Sequence, residues 1–100
     1  MRLVVAFDIN ADIIDVPQSV INNKDALRKK FLKWLYNKKN KHNYWRLLTD
    51  SKGKQFWVLQ YRADAFVEWL NNKILSKEEL AVVIARETNE YPNSLPKIIF

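Results

Sequence analysis

Between residues 24 and 61 the apolar side chains change their spacing partway along, and that change restricts the chain to folds that mix helix with sheet. Leu27, Phe31, Trp34 and Leu35 recur at i, i+4, i+7 and i+8, the stripe that a helix buries against a core, and Ser19 or Asn23 can cap that helix. From residue 44 onward the helical spacing gives way to strand-like runs. Residues 44–49 and 55–61 are rich in aromatic and aliphatic side chains and are joined by Asp50-Ser51-Lys52-Gly53-Lys54. The only glycine of the chain stands there, where a hairpin loop needs a left-handed residue. A lysine-rich helix followed by an aromatic hairpin is the reading of this stretch.

The flanking segments add further elements. Residues 2–9 (RLVVAFDI) are β-branched and apolar on both parities, the pattern of a strand buried on both faces and central in a sheet. Residues 10–17 read as a connector, with Pro17 biasing Val16 away from helix. Phe66, Val67, Leu70 and Ile74 line one face of a second helix, flanked by Trp69. Ser76-Lys77-Glu78-Glu79 has the form of a capping box with Leu75 and Leu80 as its staple, so a third helix is expected from Lys77, with residues 80–85 buried nearly all round. Pro92 and Pro96 exclude helix from residues 87–96, and residues 97–100 can add a short edge strand. The element order is then β-α-β-β-α-α-(β), a single α+β domain over residues 1–100. Without the extra helix it is the split arrangement of the ferredoxin-like class or a close variant, an antiparallel sheet with helices on one face.

One hundred residues can bury a single core without a metal or disulfide staple, and 48% apolar content lies outside the regime of disordered chains. The absence of cysteine excludes disulfides, thiol catalysis and thiolate metal sites. The apolar run 3–7 stops at Asp8, too short for the core of a signal peptide, and no run reaches membrane-spanning length, so a cytoplasmic location without a membrane is expected.

Charge is segregated. Residues 24–61 hold eleven basic residues against two acids, Asp25 and Asp50, a balance of +9, while the remainder sums to −3 within the net +6. Helical geometry puts Lys29, Lys33 and Tyr36 opposite Phe31, on the wet face with Lys30. If helices cover the sheet side bearing Trp45, Leu47, Trp57, Leu59 and Tyr61, alternation leaves Tyr44, Arg46, Phe56 and Val58 on the open side, with Lys38, Lys39, Lys41 and His42 extending a positive rim. Cations pair with phosphates and aromatic rings stack on bases, so this combination suits single-stranded nucleic acid. The candidate binding residues are Lys29, Lys30, Lys33, Tyr36, Lys38, Lys39, Lys41, Tyr44, Arg46 and Phe56.

Other chemistries find less support. Asp8, Asn10 and Asp12 have the alternate spacing that opens a calcium loop, but Ile13 stands where glycine is needed and Ser19 where glutamate is needed. The opening RLVVAFDI resembles the first strand of small CRISPR-associated ferredoxin-like nucleases and related toxins, in which an aspartate ends that strand. That resemblance implies Asp8 joining Asp12 or Asp15 around a hydrated Mg²⁺. Lys52-Gly53 followed by Phe56 and Val58 resembles the third-strand motif of RNA-recognition domains, but Lys54 replaces a stacking aromatic. A lone histidine, His42, makes neither a zinc site of ordinary type nor a catalytic triad, and reads as a surface residue; one glycine cannot build a phosphate loop. The acids Glu78, Glu79 and Glu87 give residues 64–87 the wrong sign for a DNA-reading helix-turn-helix.

The reading is a small non-enzymatic binding protein with no cofactor and no metal site, engaging nucleic acid through the basic helix face and hairpin. The alternative is a regulator or inhibitor, compatible in size and Lys/Asn/Ile content with a phage or other mobile-element origin. It would bind an acidic protein partner through the same surface or form a homodimer through the uncovered sheet face.

Overall fold

The computed structural model describes residues 1–100. Strand β1 (Arg2–Ala6) turns through residues 7–10 into an antiparallel partner, β2 (Ala11–Asp15), with the Phe7 N–H donating to the Asn10 carbonyl at 2.9 Å. A short helix α1 (Gln18–Asn22) and the longer helix α2 (Lys24–Tyr36) follow, before the hairpin β3 (Trp45–Thr49) and β4 (Gln55–Leu59). Helix α3 (Ala63–Trp69) runs on into a π-helical turn (Leu70–Ile74), and the chain ends with β5 (Val82–Thr88) and β6 (Lys97–Ile99).

The molecule is α+β. Its main sheet has the order β5-β2-β1-β6, with β1 antiparallel to β2, β2 antiparallel to β5, and β6 parallel to β1; β3 and β4 form a separate two-stranded sheet. Two corrections to the expected ferredoxin-like order follow. The segment read as a connector is β2, a central strand, and the segment read as a third helix is β5, an edge strand. In β2 the polar Asp12 interrupts what would otherwise read as a buried strand, Ala11 to Ile14. Its burial becomes permissible only once Arg62 neutralises it from a position fifty residues away. Ahead of β5, Ser76 to Glu79 forms a single turn, with the Glu79 N–H on the Ser76 carbonyl at 3.1 Å, that does not propagate. The Asn71 side chain instead holds Ala81 like a strand neighbour, donating to its carbonyl at 2.9 Å and accepting its N–H at 2.7 Å. Val82, Val83 and Ile84 are β-branched and extend from there along the free edge of β2. Leu80, Val82 and Ile84 are consequently exposed rather than buried.

The core lies between the helices and one face of this sheet. Leu3, Val5 and Ile14 meet Leu27, Phe31 and Leu35 of α2 and Ala65, Phe66 and Trp69 of α3. Phe31 is its centre, fully buried with aromatic centroids of Trp34, Tyr61, Phe66, Trp69 and Phe100 between 5.3 and 6.2 Å away. Each large apolar side chain so enclosed contributes about 1.5–3 kcal/mol relative to exposure. Val4 is also fully buried, from the opposite face. Residues 89–96 must join β5 to β6 at opposite edges of the sheet and in the same direction, so they cross the face the helices leave open, where Val4 and Ile13 sit.

Candidate functional site

The hairpin is where this fold leaves apolar surface unspent. In its register Trp45 opposes Leu59, Leu47 opposes Trp57 and Leu48 opposes Phe56. One face therefore carries Trp45, Leu47, Trp57 and Leu59, and the other Arg46, Leu48, Phe56 and Val58. Both faces are open: Leu47 and Trp57 are 45% and 58% exposed, Leu48 and Phe56 37% and 41%. The expectation that helices would cover the Leu47 and Trp57 side is overturned, because the main sheet completes itself from β1, β2, β5 and β6 and the helices cover that sheet instead. The arm accounts for an elongated shape, 47 × 31 × 19 Å, with a radius of gyration of 14.8 Å against about 13 Å for a compact chain of this length.

The hairpin's shape is set locally at its tip. Gly53 has φ +81°, and the Asp50 carboxylate accepts the N–H groups of Lys52 and Lys54, each at 2.9 Å. At its root the arm is tied to the body by His42, which sequence reading placed on the surface. The ring is half-buried: Nε2 lies 2.9 Å from the Leu35 carbonyl at the end of α2, and Nδ1 accepts the Tyr44 N–H at 3.2 Å, which makes it the Nε2–H tautomer. It lies 4.9 Å from Trp34 and stacks on Trp45 at 6.4 Å and 12°. No motif signals this role, since the contacts exist only when α2 and β3 come together. Tyr44, expected on an open face, is half-buried with its hydroxyl donating to Glu68 of α3. Burial, the Glu68 bond and charge, and the charge of Asp64 push its phenol well above the usual range.

Of the proposed binding residues, Lys38, Lys41, Tyr44 and Arg46 line one depression at the root of the arm, together with His42, Trp45 and one carboxylate, Glu68, which the Tyr44 hydroxyl engages. Lys39 is exposed in the same loop, and Lys52 and Lys54 are exposed at the tip. Lys29 is not brought to this surface: with Asp25, Arg28 and Lys97 it borders the β6 edge. Lys30, Lys33 and Tyr36 are exposed on α2 and do not line that depression, and Phe56 faces out beside Leu48. The ion pairs of the molecule are the Met1 amine with Asp15, Lys24 with Asp25, and Arg62 with Asp12. The ten basic residues between 28 and 54 are therefore all without a carboxylate partner, a field that favours an anion.

The three N-terminal aspartates do not share a site. Asp8 is exposed in the β1–β2 turn, Asp15 pairs with the terminal amine, and Asp12 points to the helix side of the sheet. Asp12 is 1% exposed and accepts hydrogen bonds from Arg62 Nη2 (2.6 Å), Arg62 Nε (3.3 Å), Glu87 N (2.9 Å) and Ala63 N (3.0 Å). Burial by itself would raise its pKa, but the Arg62 and backbone hydrogen bonds, with the guanidinium charge, outweigh it and hold the carboxyl below its ordinary value. Arg62 also lies 4.3 Å over the Phe7 ring. The cluster caps the first turn of α3 and anchors β5 where Glu87 adopts φ +51°, so its work is architectural. Nowhere are three or more His, Asp or Glu side chains gathered in a geometry that could hold a metal ion. No helix is long and apolar enough to cross a membrane.

Comparison with protein-family models, curated proteins and solved structures finds no match to this chain.

Proposed function

We propose that this chain is a non-catalytic nucleic-acid-binding protein whose contact element is the β3–β4 arm and the basic loop at its root. One observation carries the reading: an aromatic hairpin open on both faces, surrounded by Lys38, Lys39, Lys41, Arg46, Lys52 and Lys54, none of them paired with a carboxylate. Isolated two-stranded hairpins are marginal in water, and apolar side chains on both faces make this one more so. A partner that supplies both negative charge and flat apolar surface relieves both conditions, and nucleic acid does. The helix face of Lys29, Lys30, Lys33 and Tyr36 contributes long-range attraction in this reading, not contact.

The test is oligonucleotide binding by fluorescence anisotropy across a salt series. Affinity falls log-linearly with salt, and the Lys38→Gln/Lys41→Gln/Arg46→Gln variant has a shallower slope. Absence of binding at low salt overturns the proposal. A second reading, self-association, is supported by the free edge of β5, where Leu80, Val82 and Ile84 are 51%, 52% and 45% exposed. It predicts a salt-insensitive dimer abolished by Ile84→Lys. An acidic protein on the basic arm is the remaining alternative, and competition between it and oligonucleotide separates the two.

A further inference from the structure

Trp57 makes no ring contact with its own chain, and Trp45 does so on the side of the body only. Trp45 stacks on His42, which meets Trp34, which stacks on Phe31 at 6.2 Å and 28°. A ladder of rings thus climbs from the centre of the core to the root of the arm and stops at Trp45. Trp57 stands on the same face of the hairpin, diagonal to Trp45 in the register. Diagonal positions across a strand pair are about 7–8 Å apart. A flat ring in contact on both faces needs its neighbours twice the ~3.5–4.0 Å of carbon–carbon contact apart, so backbone positions at this spacing can carry two rings with a third between them. The space concerned is a cleft of about 240 Å³ lined by Lys38, Trp45 and Trp57. No carboxylate borders it, and the Lys38 ammonium lies 5.6 Å from the Trp45 ring centroid.

We infer that this cleft is a seat for one unpaired base of a single-stranded nucleic acid, sandwiched between Trp45 and Trp57, with Lys38 on the adjoining phosphate. The inference rests on the proposed nucleic-acid role and narrows it. A base held inside a duplex cannot enter, because both of its faces are already stacked, so the seat selects single strands. Its lining is two indole rings and one ammonium, with no side chain carrying both a donor and an acceptor to read a base edge. The preference among bases is therefore weak and follows stacking strength. Lys38, placed in the loop of the positive rim by sequence reading, becomes a residue of the seat, and Trp45 and Trp57 join it.

The experiment measures affinities of the whole chain for a thymidylate homopolymer, an adenylate homopolymer, a self-complementary duplex of equal length and the free mononucleotide. Intrinsic tryptophan emission is recorded alongside. The expected result is quenching on single-strand addition and single strands bound well above duplex. Trp57→Ala loses between about five-fold and a hundred-fold for single strands with little change for duplex, and Trp57→Phe retains most of the affinity. Trp57 is 58% exposed, so the variants keep the wild-type unfolding transition, which is checked by circular dichroism. If no nucleic acid binds at low salt, the function proposed above falls and the seat with it. If salt-dependent binding persists but Trp57→Ala weakens single strand and duplex alike, or neither, the seat alone is overturned. A mononucleotide bound as tightly as the polymer overturns the assignment to a strand, and a dimer that shields Trp57 and is not displaced by oligonucleotide overturns it in favour of a second copy.

Discussion

Strands β1 and β3 are both five residues long and both rich in aliphatic or aromatic side chains, yet they meet opposite fates. β1 buries Leu3, Val4 and Val5 completely, whereas Leu47 and Leu48 of β3 stay more than a third exposed. The difference is neighbours. β1 has a strand on each side, helices on one face and the 89–96 crossing on the other, while β3 has one strand and no layer over most of its length. Apolar content therefore says that a strand needs cover but not where cover comes from. In the body it comes from within the chain; over most of the arm the chain supplies none.

That contrast can be broken or sharpened by five variants. The largest effect is expected in the body: Phe31→Ala removes the ring on which five other aromatic side chains converge. It should cost about 3–5 kcal/mol in urea unfolding, enough to unfold a marginal domain. Next comes Asp12→Ala, which strands Arg62 and two backbone N–H groups and should cost about 3 kcal/mol. The same carboxylate makes the body acid-sensitive in a defined direction. Its pKa is lower folded than unfolded, so its contribution is complete above the ordinary carboxylate value of about 3.9 and is lost as pH falls through the depressed folded value. Unfolding followed against pH should show that loss in the wild type and lack it in Asp12→Asn.

A smaller loss, about 1–3 kcal/mol, is expected for His42→Ala, which unpairs the enclosed Leu35 carbonyl and Tyr44 N–H at the joint between body and arm. Amide hydrogen exchange should then rise in β3 and β4 before it rises in β1 and β2; uniform acceleration would mean that arm and body unfold as one unit. Smallest is the effect of replacing residues 46–58 by a tight turn between Trp45 and Leu59, which already face each other. If the arm is an appendage, the remaining body keeps its cooperative transition within about 1 kcal/mol, since few buried contacts are removed. Collapse of the fold would show instead that the hairpin is a structural layer.

Legibility followed the range of the forces involved. The hairpin was readable because its turn is made by Asp50 and Gly53 within a few residues, and α2 because Leu27, Phe31 and Leu35 repeat on one stripe. β2 was not, because the Asp12 that spoils its pattern is satisfied by Arg62, and β5 was not, because Asn71 and the free edge of β2 override a turn that starts like a helix. The proposed binding residues divided in the same way. Charge segregation was visible in composition, while the gathering of Lys38, Trp45 and Trp57, and the separation of Lys29 from them, depended on how α2, the loop and the arm pack.

By itself, then, the order of residues determined what short-range chemistry can decide: which segments turn, which repeat with helical spacing, where positive charge collects, and that no thiol or glycine-rich phosphate site exists. Tertiary structure alone decided which strands share a sheet and which aromatic side chains remain uncovered. Burial is a property of the whole assembly, and a carboxylate or an indole cannot be assigned to core or surface until the element that pairs with it, or fails to, has taken its place.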